Sequence, residues 1–326
     1  MNAVEVAVTG APDVLNYLQR PQPTPGPGEV LIRTEAIGVN YIDTYFRAGL
    51  YPAELPLILG GEAAGTVAEL GPGVSSLAVG DRVVSAAASG AYAQYCTAPA
   101  ALTAPLPATL DFDAAAAVFL KGLTAHYLIT SVYPVARDDT VLVHAGAGGV
   151  GLILTRWASA LGARVITTVS SPAKAELSRQ AGAVAVLDYP RHDEAAHFGA
   201  RIRELTDGNG VPVVYDGVGA TTVEASLSSL AVRGTLALFG AASGPVPPID
   251  PQRLNAAGSV YLTRPTLAHF VRTAEEFSWR AAELFDAIAN GSIQATVTRH
   301  YELADAAQAH RDLHARRTVG SIVLLP

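Results

Sequence analysis

The sequence predicts an α/β protein in which a doubly wound parallel sheet is inserted into a β-rich, barrel-like domain. Three observations predict it. The first third reads as short strands between Gly and Pro turns. Near residue 111 the texture changes to alternating strand-like and helix-like segments. The tail then adds two helices and a strand with no new sheet to cover, so it returns to the first domain. At 326 residues, half of them apolar, the chain can bury cores for two domains.

Taken in order, VEVAV (4–8), EVLIRTEAIGV (29–39) and AAGTVAEL (63–70) alternate or run apolar, as strands do. GPGVSSLAVGDRVVSAAAS (71–89) continues the pattern, with turns at Gly71-Pro72-Gly73 and Gly80-Asp81. Frequent turns between short strands suit a barrel or rolled sheet. DFDAAAAVFLKGLTAHYLITSVY (111–133) has helical composition. After it come strand 140–145, helix 148–162, strand 164–169, helix 172–182, and strands 184–189, 211–218 and 234–240. These strands are apolar throughout, as expected when both faces of a parallel sheet are covered. SVYLTR (259–264) adds a strand, WRAAELFDAIANG (279–291) and LADAAQAHRDLHARR (303–317) read as helices, and GSIVLLP closes the chain as a strand.

Composition excludes several classes. The net charge of −7 argues against a nucleic-acid binder, which commonly has a basic face. One cysteine, Cys96, rules out an intrachain disulfide and a thiolate zinc cage. No signal peptide or membrane-spanning run is evident, so a cytoplasmic location is expected.

The segment HAGAGGVG (144–151) carries the chemistry. Gly146, Gly148 and Gly151 make G-x-G-x-x-G between a strand and a helix, the context that a dinucleotide-binding turn requires. One glycine permits the tight turn, one lets backbone approach a pyrophosphate, and one lets the helix pack on the strand. The helix N-terminus offers free N–H groups and a positive dipole end. For NAD, an acid is expected roughly 20 residues after the first glycine to hold the ribose 2′-hydroxyl. Here the second strand is followed by Ser170, Ser171, Pro172, Ala173 and Lys174, with no acid before Glu176. Small hydroxyls and a lysine favour a 2′-phosphate, hence NADPH. Lys174 sits in the first turn of a helix, where the dipole disfavours a cation unless an anion lies nearby.

The runs AIGVNYIDTYFRAGLYP (36–52), GGEAAGTVAELGPGVSSLAVGDRV (60–83), FLKGLTAHYLI (119–129), HAGAGGVG (144–151), VVYDGVG (213–219), SVYLTRP (259–265) and RRTVGSIVLLP (316–326) resemble the zinc-free quinone oxidoreductases. These form the zeta-crystallin-like branch of the medium-chain dehydrogenase/reductase superfamily. The resemblance implies a Rossmann doubly wound parallel sheet inserted in a GroES-like β-barrel domain. It divides the chain into 1–122 (barrel), 123–263 (Rossmann) and 264–326 (return to the barrel). It also implies a homodimer through the Rossmann domain, with SVYLTR as the edge strand.

The resemblance implies site residues too. Gly148, Gly149, Val150 and Gly151 would meet the pyrophosphate, and Ser170, Lys174, Tyr189 and Arg316 the 2′-phosphate. Asn40, Tyr45, Thr124, Tyr127, Phe239 and Thr263 would line the nicotinamide. Close relatives have serine where this chain has Gly217. Zinc-dependent relatives use a Cys and a G-H-E motif; here Asn40 stands at the first place and Gly60-Gly61-Glu62 at the second, so no metal is expected. The eight histidines are read as surface or helix residues with no metal-binding pattern.

Without a Lewis acid, the acceptor must be easily reduced or polarised by hydrogen bonds, and a quinone meets the first condition. Tyr51 and Asn40, with Tyr45, are the expected donors to its oxygen; for Asn40, ordering of the nicotinamide ribose is an equal alternative. Electrons would pass as hydride or singly. Reduction of activated C=C bonds, in enals or 2-enoyl thioesters, is the enzymatic alternative. Arg47 is the only cation near Tyr51, which leans towards small substrates. A nucleotide-responsive RNA-binding or structural protein is the alternative from another class.

Overall fold

The strand periodicity of the first hundred residues becomes a series of short strands in the computed structural model, which describes residues 1–190 and 194–326. Contacts divide the chain into two units. Met1–Leu123, Val271–Ile288 and Gln294–Pro326 form the first; Thr124–Phe270 and Ala289–Ile293 form the second.

The first unit contains β1 (Asn2–Val6), β2 (Leu15–Gln19), β3 (Glu29–Gly38), α1 (Tyr41–Ala48), β4 (Leu57–Ile58), β5 (Ala63–Leu70), β6 (Arg82–Ser85), β7 (Tyr95–Pro99) and β8 (Thr103–Pro105). Helix α2 follows over Phe112–Tyr127. β3 is the central strand, antiparallel to both β5 and β7. Its alternation puts Val30, Ile32 and Ile37 into a core with Val67, Val83, Tyr92 and Cys96. Cys96 is fully enclosed there, and burial pushes its thiol up to about 12.

The second unit alternates as expected: β9 (Thr140–Val143), α3 (Gly149–Ala160), β10 (Arg164–Val169), α4 (Pro172–Gln180), β11 (Ala183–Asp188), α5 (Ala195–Glu204), β12 (Val211–Asp216), α6 (Val223–Ser229), β13 (Leu230–Leu238), α7 (Pro251–Ala256) and β14 (Tyr261–Thr263). The sheet order is β11-β10-β9-β12-β13-β14, every pairing parallel. The order therefore reverses between β9 and β12, and open α/β sheets bind ligands outside the carboxyl ends of strands at such a reversal.

The tail contributes α8 (Ala274–Ala289), β15 (Val297–Glu302), α9 (Ala306–His314) and β16 (Ser321–Leu325). β16 pairs antiparallel with β3, so the last strand completes the first unit's sheet.

Several elements differ from expectation. Of 71–89 only β6 is a strand, because its Gly and Pro positions make turns. α8 begins at Ala274, where Thr273 and Glu276 satisfy the first turn. Residues 112–132 are long and apolar enough to cross a membrane, but 78% of that window is buried inside the fold.

Gly38 closes β3 under tight constraint. A Cβ there would lie 2.0 Å from Glu62 Oε2 and 2.4 Å from the Ala116 carbonyl. Gly38→Ala should cost about 2 kcal/mol, within the usual range for overpacking. Urea denaturation checks it; an unchanged midpoint would show that Glu62 and α2 can shift.

Candidate functional site

In the first unit, β3 delivers Asn40 to the start of α1. Asn40 is its N-cap, with extended backbone at φ −127° and ψ 153°. Asp43, three residues on, accepts the Asn40 N–H at 2.8 Å. The Asn40 amide nitrogen donates to Glu62 Oε2 (2.8 Å) and to the Gly38 carbonyl (3.3 Å). Both amide hydrogens are thereby used; Oδ1 closes a capping box with the Asp43 N–H and keeps one lone pair for a ligand. The expected donor role to a substrate oxygen does not fit this geometry; an acceptor for a ribose hydroxyl does.

Glu62 is fully buried. Its other oxygen accepts the Leu120 N–H at 2.6 Å, and Lys121 Nζ stands 3.3 Å from Oε2. Gly60 makes this approach with φ +99°; a Cβ there would strike the Tyr92 ring at 2.5 Å. Gly61 has open space around it, so the missing histidine is not excluded sterically. Among the described residues no three His, Cys, Asp or Glu side chains converge as metal ligands.

Tyr45 and Tyr51 sit at the other end of α1. Their ring centroids are 5.3 Å apart, with Phe46 5.6 Å from Tyr51. The Tyr45 carbonyl accepts the N–H groups of Leu50 and Tyr51, which folds the turn back onto the helix. Tyr45 is buried and Tyr51 half-buried.

Arg47 is not the rim cation that its position suggested. It is 1% exposed, donates to the Gly10 carbonyl, and lies 3.0 Å from His310 Nδ1 and 3.5 Å from His314 Nε2. The histidines also depart from the expected pattern. His310 and His314 stand four apart on α9, a spacing that suits metal pairs, but a guanidinium lies against both rings and repels a cation. His144 is neither exposed nor helical: it is fully buried, with Nδ1 2.8 Å from Thr168 Oγ1.

Arg316 follows α9 with φ +56°, the left-handed region that non-glycine residues rarely enter. Its neighbour Arg317 is pinned to Asp312 by a side-chain bond at 3.0 Å and a backbone bond at 3.0 Å. Asp312 also accepts the Tyr301 hydroxyl at 2.6 Å.

In the second unit, β9 runs into the glycine turn as expected. Ala145 is left-handed at φ +58°. A Cβ on Gly146 would meet Thr167 at 2.5 Å, and one on Gly151 the Ala145 carbonyl at 2.1 Å. One on Gly148 would meet only Ala145, so that glycine's remaining surroundings are open. α3 then starts at Gly149, and the N–H groups of its first turn, Gly149 and Val150 included, have no acceptor within the helix. This cradle fits a pyrophosphate.

β10 ends at Val169, and Ser170 is exposed. Ser171 caps α4 by accepting the Lys174 N–H, and Pro172 takes the first helical position. Lys174 and Tyr189 are half-buried. Asp216, at the end of β12, accepts bonds from Val218 N, Gly219 N, Thr222 Oγ1 and Ser226 Oγ, which fixes the following loop. The Phe239 ring fills the space above Gly217: a Cβ there would lie 2.8 Å from it. Thr124 is buried, Thr263 half-buried, and Tyr127 stacks on Phe270 at 4.4 Å, so one ring face is taken.

Two family models match the chain: the alcohol dehydrogenase GroES-like domain over residues 26–108 and the zinc-binding dehydrogenase model over 149–287. The chain is 48% identical to a quinone oxidoreductase of Pseudomonas aeruginosa, over 99% of each chain. It is 42% identical to a 2-haloacrylate reductase of a Burkholderia species, over 97% of this chain and 96% of that one. A mycobacterial structure solved in complex with NADPH shares 67% identity, covers 100% of both chains and superposes with a TM-score of 0.99.

Burial pushes the Asp43 carboxyl up to about 7, against the Asn40 N–H, the Tyr92 hydroxyl and the Lys121 charge; Glu62 pushes the same way. The folded state therefore binds more protons than the unfolded chain, whose Asp titrates near ~3.9. Asp43's contribution to stability falls as pH rises from about 4 through about 7. Asp43→Asn removes that slope. The melting temperature of the variant relative to the parent should be several degrees higher at pH 8 than at pH 5, by about 3 °C or more. An equal difference at both pH values would refute the ionised, buried state of Asp43.

Proposed function

The chain belongs to the zinc-free quinone oxidoreductases of the medium-chain dehydrogenase/reductase superfamily, and on that basis we propose that it reduces quinones with NADPH and without metal. The observation that carries this reading is the glycine cradle between β9 and α3, followed by a second strand whose end bears Ser170 and Lys174 and no acid. A carboxylate there would repel a 2′-phosphate; a lysine attracts one.

We assign Gly148, Gly149, Val150 and Gly151 to the pyrophosphate. Ser170, Lys174 and Tyr189 are assigned to the 2′-phosphate, with Arg316 from the tail. Thr124, Tyr127, Phe239 and Thr263 are proposed to line the nicotinamide. When bound, NADPH supplies the reducing equivalents. The chain's own work is to orient and to exclude water. Asn40 presents Oδ1 as an acceptor for a ribose hydroxyl, its nitrogen being committed to Glu62 and Gly38. Tyr51 and Tyr45 carry the hydroxyls proposed to donate to the substrate oxygen and draw charge onto it.

A second reading, reduction of an activated C=C bond, is favoured by the relative named 2-haloacrylate reductase. With Arg47 buried, that residue supplies no rim cation for an acyl-carrier phosphate, so we confine this reading to small substrates. We also propose a cytoplasmic homodimer. β14 is an edge strand, and Tyr261 on it and Val232 on β13 are 63% and 74% exposed. Exposed apolar edge strands invite pairing.

NADPH oxidation followed by absorbance tests the reading, with 1,4-benzoquinone and 9,10-phenanthrenequinone against an enal and crotonyl-CoA, and NADH in parallel. Rapid quinone turnover with NADPH preferred is expected; turnover of the enal alone would move the function to alkene reduction. NADPH binding without turnover, weakening steeply with salt in the presence of RNA, would favour the non-catalytic alternative. Lys174→Ala and Arg316→Ala should each raise the KM for NADPH about tenfold, the scale of one charge-assisted hydrogen bond, and leave that for NADH unchanged. Equal losses with both cofactors would remove the 2′-phosphate assignment.

A further inference from the structure

Behind α1 lies a line of buried polar side chains with no counterpart in the reaction just described. Asp43 Oδ2 accepts the Tyr92 hydroxyl at 3.0 Å. The same hydroxyl is 3.0 Å from His310 Nε2, and His310 Nδ1 is 3.0 Å from Arg47 Nη1. Asp43, Tyr92, His310 and Arg47 are each 2% exposed or less. They come from α1, the segment before β7, and α9, so their meeting is a tertiary construction.

The direction of every bond follows from chemistry. Arg47 can only donate, so His310 Nδ1 accepts and its proton sits on Nε2. That N–H donates to the Tyr92 oxygen, which leaves the tyrosine proton for Asp43. Burial, Arg47 and His314 push His310 down to about 3, which keeps the ring neutral. The chain thus runs one way, from a buried cation to a buried carboxylate, whose Oδ2 also accepts the Asn40 backbone N–H from the other side.

Two carboxylates then grip one residue. Glu62 holds the Asn40 side chain and Asp43 holds its backbone. We propose that Tyr92, His310 and Arg47 are positioning residues that favour the ionised form of Asp43 and so fix Asn40 with its amide oxygen turned to the ligand. This rests on the role given to Asn40 above. An ionised carboxylate at position 43 accepts both bonds, which meet on Oδ2, more strongly than an amide oxygen would. The charged or titratable groups facing Asp43 are Tyr92 from the β7 side, Lys121 from α2, and Glu62 ahead of β5.

Tyr92→Phe tests it, because it removes the relay hydroxyl and adds no volume. In the purified full-length protein, the carbonyl stretch of the protonated Asp43 carboxyl is identified by its loss in Asp43→Asn. Its titration midpoint should rise by about one pH unit in Tyr92→Phe. In parallel, the acid limb of kcat/KM for NADPH should move up by a similar amount. His310→Leu should act likewise, and His310→Gln, whose amide can still donate to Tyr92, should restore the parent profile. Asn40→Ala should flatten the limb and abolish the effect of Tyr92→Phe. A lowered Tm with the infrared midpoint and pH profile both unmoved would overturn the proposal. So would a Tyr92→Phe effect that persists in full on the Asn40→Ala background. If Asn40→Ala alone matches the parent at every pH, the role of Asn40 fails and the proposal with it; an impaired Asn40→Ala beside an unmoved Tyr92→Phe sinks only the proposal.

Discussion

The first unit depends on one buried carboxylate. Glu62 has no exposure, and its oxygens take an amide from the start of α1 and a backbone N–H and an ammonium from adjacent residues of α2. An ion so enclosed is tolerated only when its lone pairs are satisfied, and removing one member of a buried pair commonly costs about 3–5 kcal/mol. The surrounding sequence makes room for it. Gly38 has no Cβ because Glu62 occupies that space, and Gly60 bends the chain so that Glu62 can turn inward. Glu62 thereby holds one end of Asn40, the side-chain amide, and leaves the backbone to Asp43.

The second unit solves a similar problem with Asp216. Its four donors are two backbone N–H groups and two hydroxyls, all local, so it sets a loop and reaches no distant element. Glu62 joins segments 58 and 59 residues apart, and Asp43 reaches α9 through one relay, the Tyr92 hydroxyl. The difference matters for function. A locally satisfied carboxylate shapes the loop that follows it, whereas a relayed one makes the site sensitive to packing far along the chain.

The Rossmann unit was legible because its signals are local. Glycine spacing, Lys174 in the first turn of a helix, and the missing acid are all read within a few residues, and each reappears in the structure at its own position. The barrel site was only half legible. Asn40-x-x-Asp43 has the spacing of a helix cap, and His310-x-x-x-His314 that of neighbours on one helix face, yet neither indicates that Arg47 lies between. Arg47 is polar by composition and buried by circumstance: the Gly10 carbonyl and two rings from α9 converge on it. Phe239 over Gly217 is likewise a matter of two strand ends meeting, which no pattern in either segment encodes.

One enclosed atom has a chemical consequence for a catalyst of this kind. Quinones are electrophiles, and conjugate addition of a thiolate is their characteristic reaction with proteins. The chain has a single sulfhydryl, Cys96, sealed in the barrel core with a Thr34 hydroxyl beside it. Held up to about 12, it stays protonated at neutral pH, and the thiolate is the nucleophile. The folded enzyme therefore presents no sulfur for its own substrates to arylate, and should turn over in their presence without being titrated by them.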